Sequence, residues 1–128
     1  MHLIMDFYCK NRKLMKDTEA LKSWLLKSAR VAKMHPYGEP TVVDFPFPSR
    51  VGTALSAVCF LGESSIVVHT YPEFNFVFLD IFSCQEFNAS EVVKFVKETF
   101  GATKTTSYLF RRGIDMETGL PVSLTPTL

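Results

Sequence analysis

The stretch Gly62-Glu63-Ser64-Ser65-Ile66-Val67-Val68-His69-Thr70-Tyr71-Pro72-Glu73 divides into a polar turn, an apolar run and a proline stop. On an extended backbone Ser65, Val67 and His69 point one way and Ile66, Val68 and Thr70 the other. Gly62-Glu63-Ser64 is short enough to join two hairpin-paired strands, Thr53 to Leu61 before it and Ser65 to Thr70 after it. Tyr71-Pro72-Glu73 ends the pairing, because proline has no N–H to give to a ladder. Phe74 to Phe82 follows and is apolar on both faces apart from Asn75 and Asp80, which predicts a central strand covered on both sides.

Working outward, His2 to Tyr8 reads as a first strand, ended by a charged loop at 10–13. A helix is predicted over 17–33, with Asp17 or Thr18 as N-cap and Glu19 in the first turn. Leu21, Trp24, Leu25, Ser28 and Val31 share its apolar face. Thr41 to Phe47 is a further strand, closed by the Pro46/Pro48 pair. A second helix spans about 89–100, started by Asn88 and Glu91, buried through Val92, Phe95, Val96 and Phe100, and stopped by Gly101. Lys104 to Arg112 is a last strand and 113–128 an irregular tail. Consecutive strands with few helices predict an α+β two-layer sandwich, an antiparallel sheet with two helices packed on one face.

At 128 residues the chain is expected to be a single domain over 1–128. Twelve phenylalanines in so small a chain read either as surplus core packing or as a subunit interface. Fourteen basic against 13 acidic residues, a net charge of +1, lack the basic excess of a nucleic-acid binder. Lys10-Asn11-Arg12-Lys13 and Arg111-Arg112 read as solvated charge, so no nucleic-acid partner is expected. Cys9, Cys59 and Cys84 are odd in number with no CxxC spacing, which suggests neither a disulfide framework nor a zinc site and fits a reducing cytoplasm. The start, Met1-His2-Leu3-Ile4-Met5-Asp6, does not read as a signal peptide, and no apolar run approaches the ~20 residues that cross a bilayer. No metal is expected, since no His, Cys, Asp and Glu cluster has ligand spacing.

Three residues could carry chemistry. The Ser64 hydroxyl lies next to its own peptide carbonyl, and a turn held at ~1–3 kcal/mol of strain could drive it onto that carbonyl. The amide becomes an ester, and loss of the Ser64 α-proton expels 1–63. The dehydroalanine left on 64–128 hydrolyses to a pyruvoyl cap. Gly-Glu-Ser-Ser is also an ordinary hairpin turn. His69 could move protons near neutral pH or be a half-buried histidine satisfied by a carbonyl. Cys84 could return a proton to a carbanion at the Ser64 end of the sheet or be an inert thiol. Cys9 and Cys59 read as core or loop thiols.

Glu63-Ser64-Ser65-Ile66-Val67-Val68-His69-Thr70-Tyr71-Pro72-Glu73, Leu79-Asp80-Ile81-Phe82-Ser83-Cys84-Gln85 and His2-Leu3-Ile4-Met5-Asp6-Phe7-Tyr8 resemble, in order, three motifs of the short prokaryotic S-adenosylmethionine decarboxylases. The resemblance covers about residues 1–100. It implies a proenzyme cut between Glu63 and Ser64 into 1–63 and 64–128, with Ser64 becoming a pyruvoyl group that takes the substrate amine as a Schiff base. His69 would transfer protons in processing, and Cys84 would reprotonate the product carbon. Glu73 would bind the ribose hydroxyls and Phe7 or Tyr8 would stack on adenine. Ser56 stands where the family has a processing serine, though Leu55-Ser56-Ala57 lacks the family's glycines.

By the same resemblance the substrate would be S-adenosylmethionine, decarboxylated for spermidine and polyamine synthesis by a homodimer. Ser65 replaces the family's histidine, Val67 a hydroxyl residue, Tyr71 a tryptophan, and Phe74-Asn75-Phe76 a Tyr-Gly-Tyr-like turn. These departures alter the pocket wall and leave open a decarboxylase of ornithine or arginine. A catalytically inactive regulatory homologue is the alternative of another class. Retention of Ser64, His69 and Cys84 together speaks against it.

Overall fold

A computed structural model of the chain describes residues 1–46, 53–122, 126 and 127. Six strands form one antiparallel sheet: β1 (His2–Cys9), β2 (Thr41–Pro46), β3 (Thr53–Phe60), β4 (Ser64–Tyr71), β5 (Phe76–Ser83) and β6 (Ala102–Phe110). The spatial order is β2-β3-β4-β5-β1-β6, with every neighbouring pair antiparallel. Three helices cover one face: α1 (Arg12–Lys16), α2 (Thr18–Val31) and α3 (Ala89–Phe100). The sandwich expected from the strand and helix order is therefore present, with one short helix more than the two anticipated.

That extra helix falls where a charged loop was expected. Asn11 caps it by accepting from the Leu14 N–H, and Leu14 and Met15 turn inward while Arg12, Lys13 and Lys16 stay in solvent. Five residues are too few to show an apolar period. Asp17 is the cap of α2, accepting from the Ala20 N–H at 3.0 Å. The buried face of α2 runs through Leu21, Trp24, Leu25, Ser28 and Ala29, and Val31 is only half-buried. Asn88 caps α3, and Gly101 ends it at φ +62°, where an added Cβ would also meet Lys10 Cβ at 3.2 Å. The Phe47 and Pro48 end of the second predicted strand lies outside the described residues.

Alternation sorts each strand onto two faces. Leu3, Met5 and Phe7, Leu55, Ala57 and Cys59, Ile66 and Val68, and Val77, Leu79 and Ile81 point under the helices. Phe100 anchors this layer, edge-on to Phe7 at 5.3 Å and to Trp24 at 4.7 Å between ring centroids. Thr70 is a polar member of this layer, donating to the Met15 carbonyl at 2.8 Å and accepting from the Leu55 N–H at 3.2 Å, which ties α1 to the sheet. Cys9 and Cys59 are buried here, and burial pushes both thiols up, as expected of inert core cysteines. Phe100→Ala is expected to cost ~3–5 kcal/mol. Chemical denaturation checks it, and a loss near zero would contradict the packing.

The opposite face corrects one expectation. β5 is central, between β4 and β1, but among the described residues it is covered on one side only. Phe76, Phe78, Asp80 and Phe82 alternate with the buried set and face away from the helices, Phe78 at 41% exposure. Tyr8, Phe60 and Tyr108 join them as exposed large side chains on this open face. Apolar residues on both sides of a strand marked two surfaces to be covered, and the chain's own helices cover one.

Candidate active site

The hairpin between β3 and β4 holds the Glu63–Ser64 bond. Its ends are pinned by the Leu61 N–H on the Ser64 carbonyl at 2.9 Å, and Ser64 pairs with Ser83 of β5 across the sheet. The Ser64 Oγ donates to the Glu63 carbonyl oxygen of the same peptide bond. The Cys84 backbone N–H donates to that same oxygen at 3.1 Å. Two donors thus converge on the carbonyl that the Ser64 hydroxyl would attack, and negative charge developing on its oxygen during addition would be met by a fixed amide dipole. Cys84, one residue past β5, is exposed. Pairing of β4 with β5 places Cys84 at the Ser64 end of the sheet.

His69 lies elsewhere. It is on β4 opposite Phe78, on the open face with Ser65 and Val67 as the alternation required. Five residues separate it from Ser64, which at ~3.3 Å per residue is about 16 Å of extended chain. Its Nδ1 is 3.0 Å from the Ser56 Oγ, directly across on β3. Ser56, the weaker assignment from sequence, is thereby paired with the imidazole, and a serine hydroxyl is a fit donor or acceptor for fixing its tautomer.

The residues expected to bind substrate sit with His69. Phe7 is fully buried on the helix face against Phe100, so of Phe7 and Tyr8 only Tyr8 can meet a ligand on the open face. Tyr8, Tyr71, Phe74, Phe76 and Phe78 line one aromatic basin. Tyr8 meets Phe76 edge-on at 5.0 Å and Tyr71 meets Phe78 at 5.7 Å. Glu73 is exposed beside the basin in the 3-10 turn Pro72–Phe74, which Asn75 closes at φ +52°. The proline stop read from sequence is this turn. Farther along the open face, Asp80 pairs with His2 Nε2 at 3.0 Å, and burial, then Asp80, pushes the Asp6 carboxyl up.

Ser64, Glu63 and Cys84 therefore stand at one end of the sheet, and Ser56, His69, Glu73 and Tyr8 at the other. Seven residues from Ser64 to Tyr71 span ~23 Å. One residue of the first cluster had no sequence signal. His35, in the loop after α2, donates its backbone N–H to Glu63 Oε1 at 3.0 Å and sets its Nδ1 2.8 Å from the same oxygen. Twenty-eight residues of separation hide that contact from any local pattern.

An S-adenosylmethionine decarboxylase proenzyme of Aeropyrum pernix is 36% identical over 85 residues, covering 66% of this chain and 60% of that one. An arginine decarboxylase proenzyme of Caldivirga maquilingensis is 32% identical over 88 residues, covering 66% and 61%. The chain thus spans about three fifths of the length of either relative. The crystal structure of the adenosylmethionine decarboxylase from Aquifex aeolicus superposes with a TM-score of 0.71 at 19% identity, covering 91% of this chain and 92% of that one, and so shares its fold. The family model described as S-adenosylmethionine decarboxylase matches residues 1–113, and the chain belongs to that family.

Proposed function

We propose that this chain is a decarboxylase proenzyme that cuts its own Glu63–Ser64 bond and then acts on S-adenosylmethionine, releasing carbon dioxide and the decarboxylated aminopropyl donor for polyamine synthesis. The observation that carries this reading is the Glu63 carbonyl, which receives both the Ser64 hydroxyl and the Cys84 N–H. The Ser64 Oγ adds to the carbonyl carbon, the C–N bond breaks with its nitrogen taking the hydroxyl proton, and an ester replaces the amide. Loss of the Ser64 Cα proton then breaks the Cβ–O bond, and Glu63 departs as a carboxylate. The enamine left on residue 64 tautomerises, takes up water and loses ammonia, which leaves a pyruvoyl group. That group supplies an electrophilic carbonyl that draws off the electrons released as carbon dioxide leaves. Cys84, exposed and with its backbone N–H on the Glu63 carbonyl, returns a proton to the product carbon from its thiol.

The two clusters cannot meet within one chain. A homodimer in which two open faces pack together, with the two-fold axis between the sheets and across the strands, lays the Ser64 end of each over the His69 end of the other. Each site then draws Ser64, Glu63 and Cys84 from one protomer, and Ser56, His69, Glu73 and Tyr8 from its partner. The exposed Phe60, Phe78 and Tyr108 suit such a contact, since an apolar surface of this kind marks an interface. In that arrangement Glu73 faces the ribose hydroxyls, and the basin around Tyr8 receives the adenine. A sulfonium cation gains ~0.5–2 kcal/mol from such aromatic faces.

The Caldivirga relative favours a second reading, an arginine substrate whose guanidinium meets a carboxylate such as Glu73. One experiment tests both. Mass spectrometry of freshly purified protein is expected to give a fragment of residues 1–63 and a second, 64–128, with a ketone in place of its amine. Incubation with S-adenosylmethionine, arginine and ornithine is expected to release carbon dioxide from the first alone. Release from arginine alone would reassign the substrate, and a chain that stays whole would remove the enzyme reading.

A further inference from the structure

We propose that His35 is a positioning residue for scission, a clamp that holds the Glu63 side chain so that the Glu63 carbonyl stays against the Cys84 N–H and the Ser64 hydroxyl. This rests on the self-processing reading above and adds to it a residue outside all three sequence motifs.

The geometry is built for holding. The side chain of Glu63 is 9% exposed, and the His35 ring that covers it is 85% exposed. A carboxylate has no proton to give, so the His35 N–H and Nδ1–H both donate to it. These hydrogen bonds hold the Glu63 carboxyl below the usual carboxylate range. His35 also accepts, taking the Gly62 N–H on its carbonyl at 2.8 Å, and Pro36 bridges Leu61. The Tyr37 N–H reaches the Phe60 carbonyl at 2.8 Å. Residues 35–37 thus run beside 60–62 as a short extra rung, and His35 meets the turn through its backbone N–H, its ring nitrogen and its carbonyl.

Side chain and carbonyl of Glu63 share one Cα, so pinning the carboxylate restricts the rotations that would swing the carbonyl away from Cys84. Misplacement of a reacting group by 1 Å costs on the order of a hundredfold in rate. A buried carboxylate on the residue that carries the scissile carbonyl, capped by an exposed imidazole, gives a reason for glutamate at this position that the cleavage chemistry itself does not.

The test follows cleavage of newly translated chain by denaturing electrophoresis. His35→Phe keeps the bulk and removes the donor, and is expected to slow scission about tenfold to a hundredfold. His35→Asn restores an N–H donor near the Nδ1 position and is expected to recover most of the rate. Thermal unfolding of both variants, each combined with Ser64→Ala so that the chain remains whole, is expected to show both folded at the assay temperature, His35→Phe with the lower midpoint because a buried carboxylate loses a donor. Scission of His35→Phe at the unsubstituted rate would overturn the clamp, and so would His35→Asn as slow as His35→Phe. A slowing confined to conditions in which the His35→Phe chain is already unfolded would also overturn it, by showing a role in folding alone. Absence of scission in the unsubstituted chain would instead end the self-processing reading on which the clamp rests.

Discussion

Ser64→Ala leaves a folded chain in one piece, with no 1–63 or 64–128 fragment and no carbon dioxide released from S-adenosylmethionine. The side chain removed is the hydroxyl that lies on the Glu63 carbonyl, and alanine offers nothing to add to that carbon. Loss of a nucleophile in acyl transfer lowers rates by more than about 10⁴-fold, far beyond what positioning changes produce. The fold tolerates the change, because Ser64 is only half-buried and its strand pairing with Ser83 uses backbone. Denaturing electrophoresis of aged protein reads the result. Fragments formed at the unsubstituted rate would exclude Ser64 as the attacking group.

Two inactive chains are expected to assemble one working site between them. His69→Ala alone should remain whole, because each site of its dimer lacks the imidazole. Co-expressed with Ser64→Ala, it should be cut. A mixed dimer contains one site with Ser64 from the first variant and His69 from the second, and another site with neither. Random pairing of equal amounts makes about half of the dimers mixed, so about half of the His69→Ala chains should be cleaved and none of the Ser64→Ala chains. If His69 acted on Ser64 of its own chain, mixing would rescue nothing. Distinguishable tags on the two chains and gel densitometry decide the matter. The forecast follows from about 16 Å of strand between Ser64 and His69, too far for direct proton transfer within one protomer.

Much of this was legible from residue types. The two-residue alternation of 65–70 assigned each side chain to its face, and Asn88, Glu91 and Gly101 bounded α3 at the observed limits. Capping groups and periodicity are local, so they survive without tertiary context. β5 was misjudged because Phe76, Phe78 and Phe82 are as apolar as Val77, Leu79 and Ile81. Hydrophobicity says that a surface wants cover and does not say whose. Phe7 was ambiguous with Tyr8 for a related reason, since two adjacent aromatics on a strand must face opposite ways, and only the structure assigns the core to Phe7. The separation of His69 from Ser64 was available by strand arithmetic, whereas pairing of Ser56 with His69 needed the register of β3 against β4.

Scission at 63–64 would assign β1, β2 and β3 to one fragment and β4, β5 and β6 to the other. In the sheet these alternate: two strands of the first, two of the second, then β1, then β6. β1 is gripped on both edges by strands of the opposite fragment, so the severed polypeptide is interleaved and has no seam along which to part. Backbone cleavage here costs the molecule a covalent link while leaving every ladder in place. Reassembly from separated fragments would be a second-order event, slower on dilution, in a protein whose first folding was unimolecular.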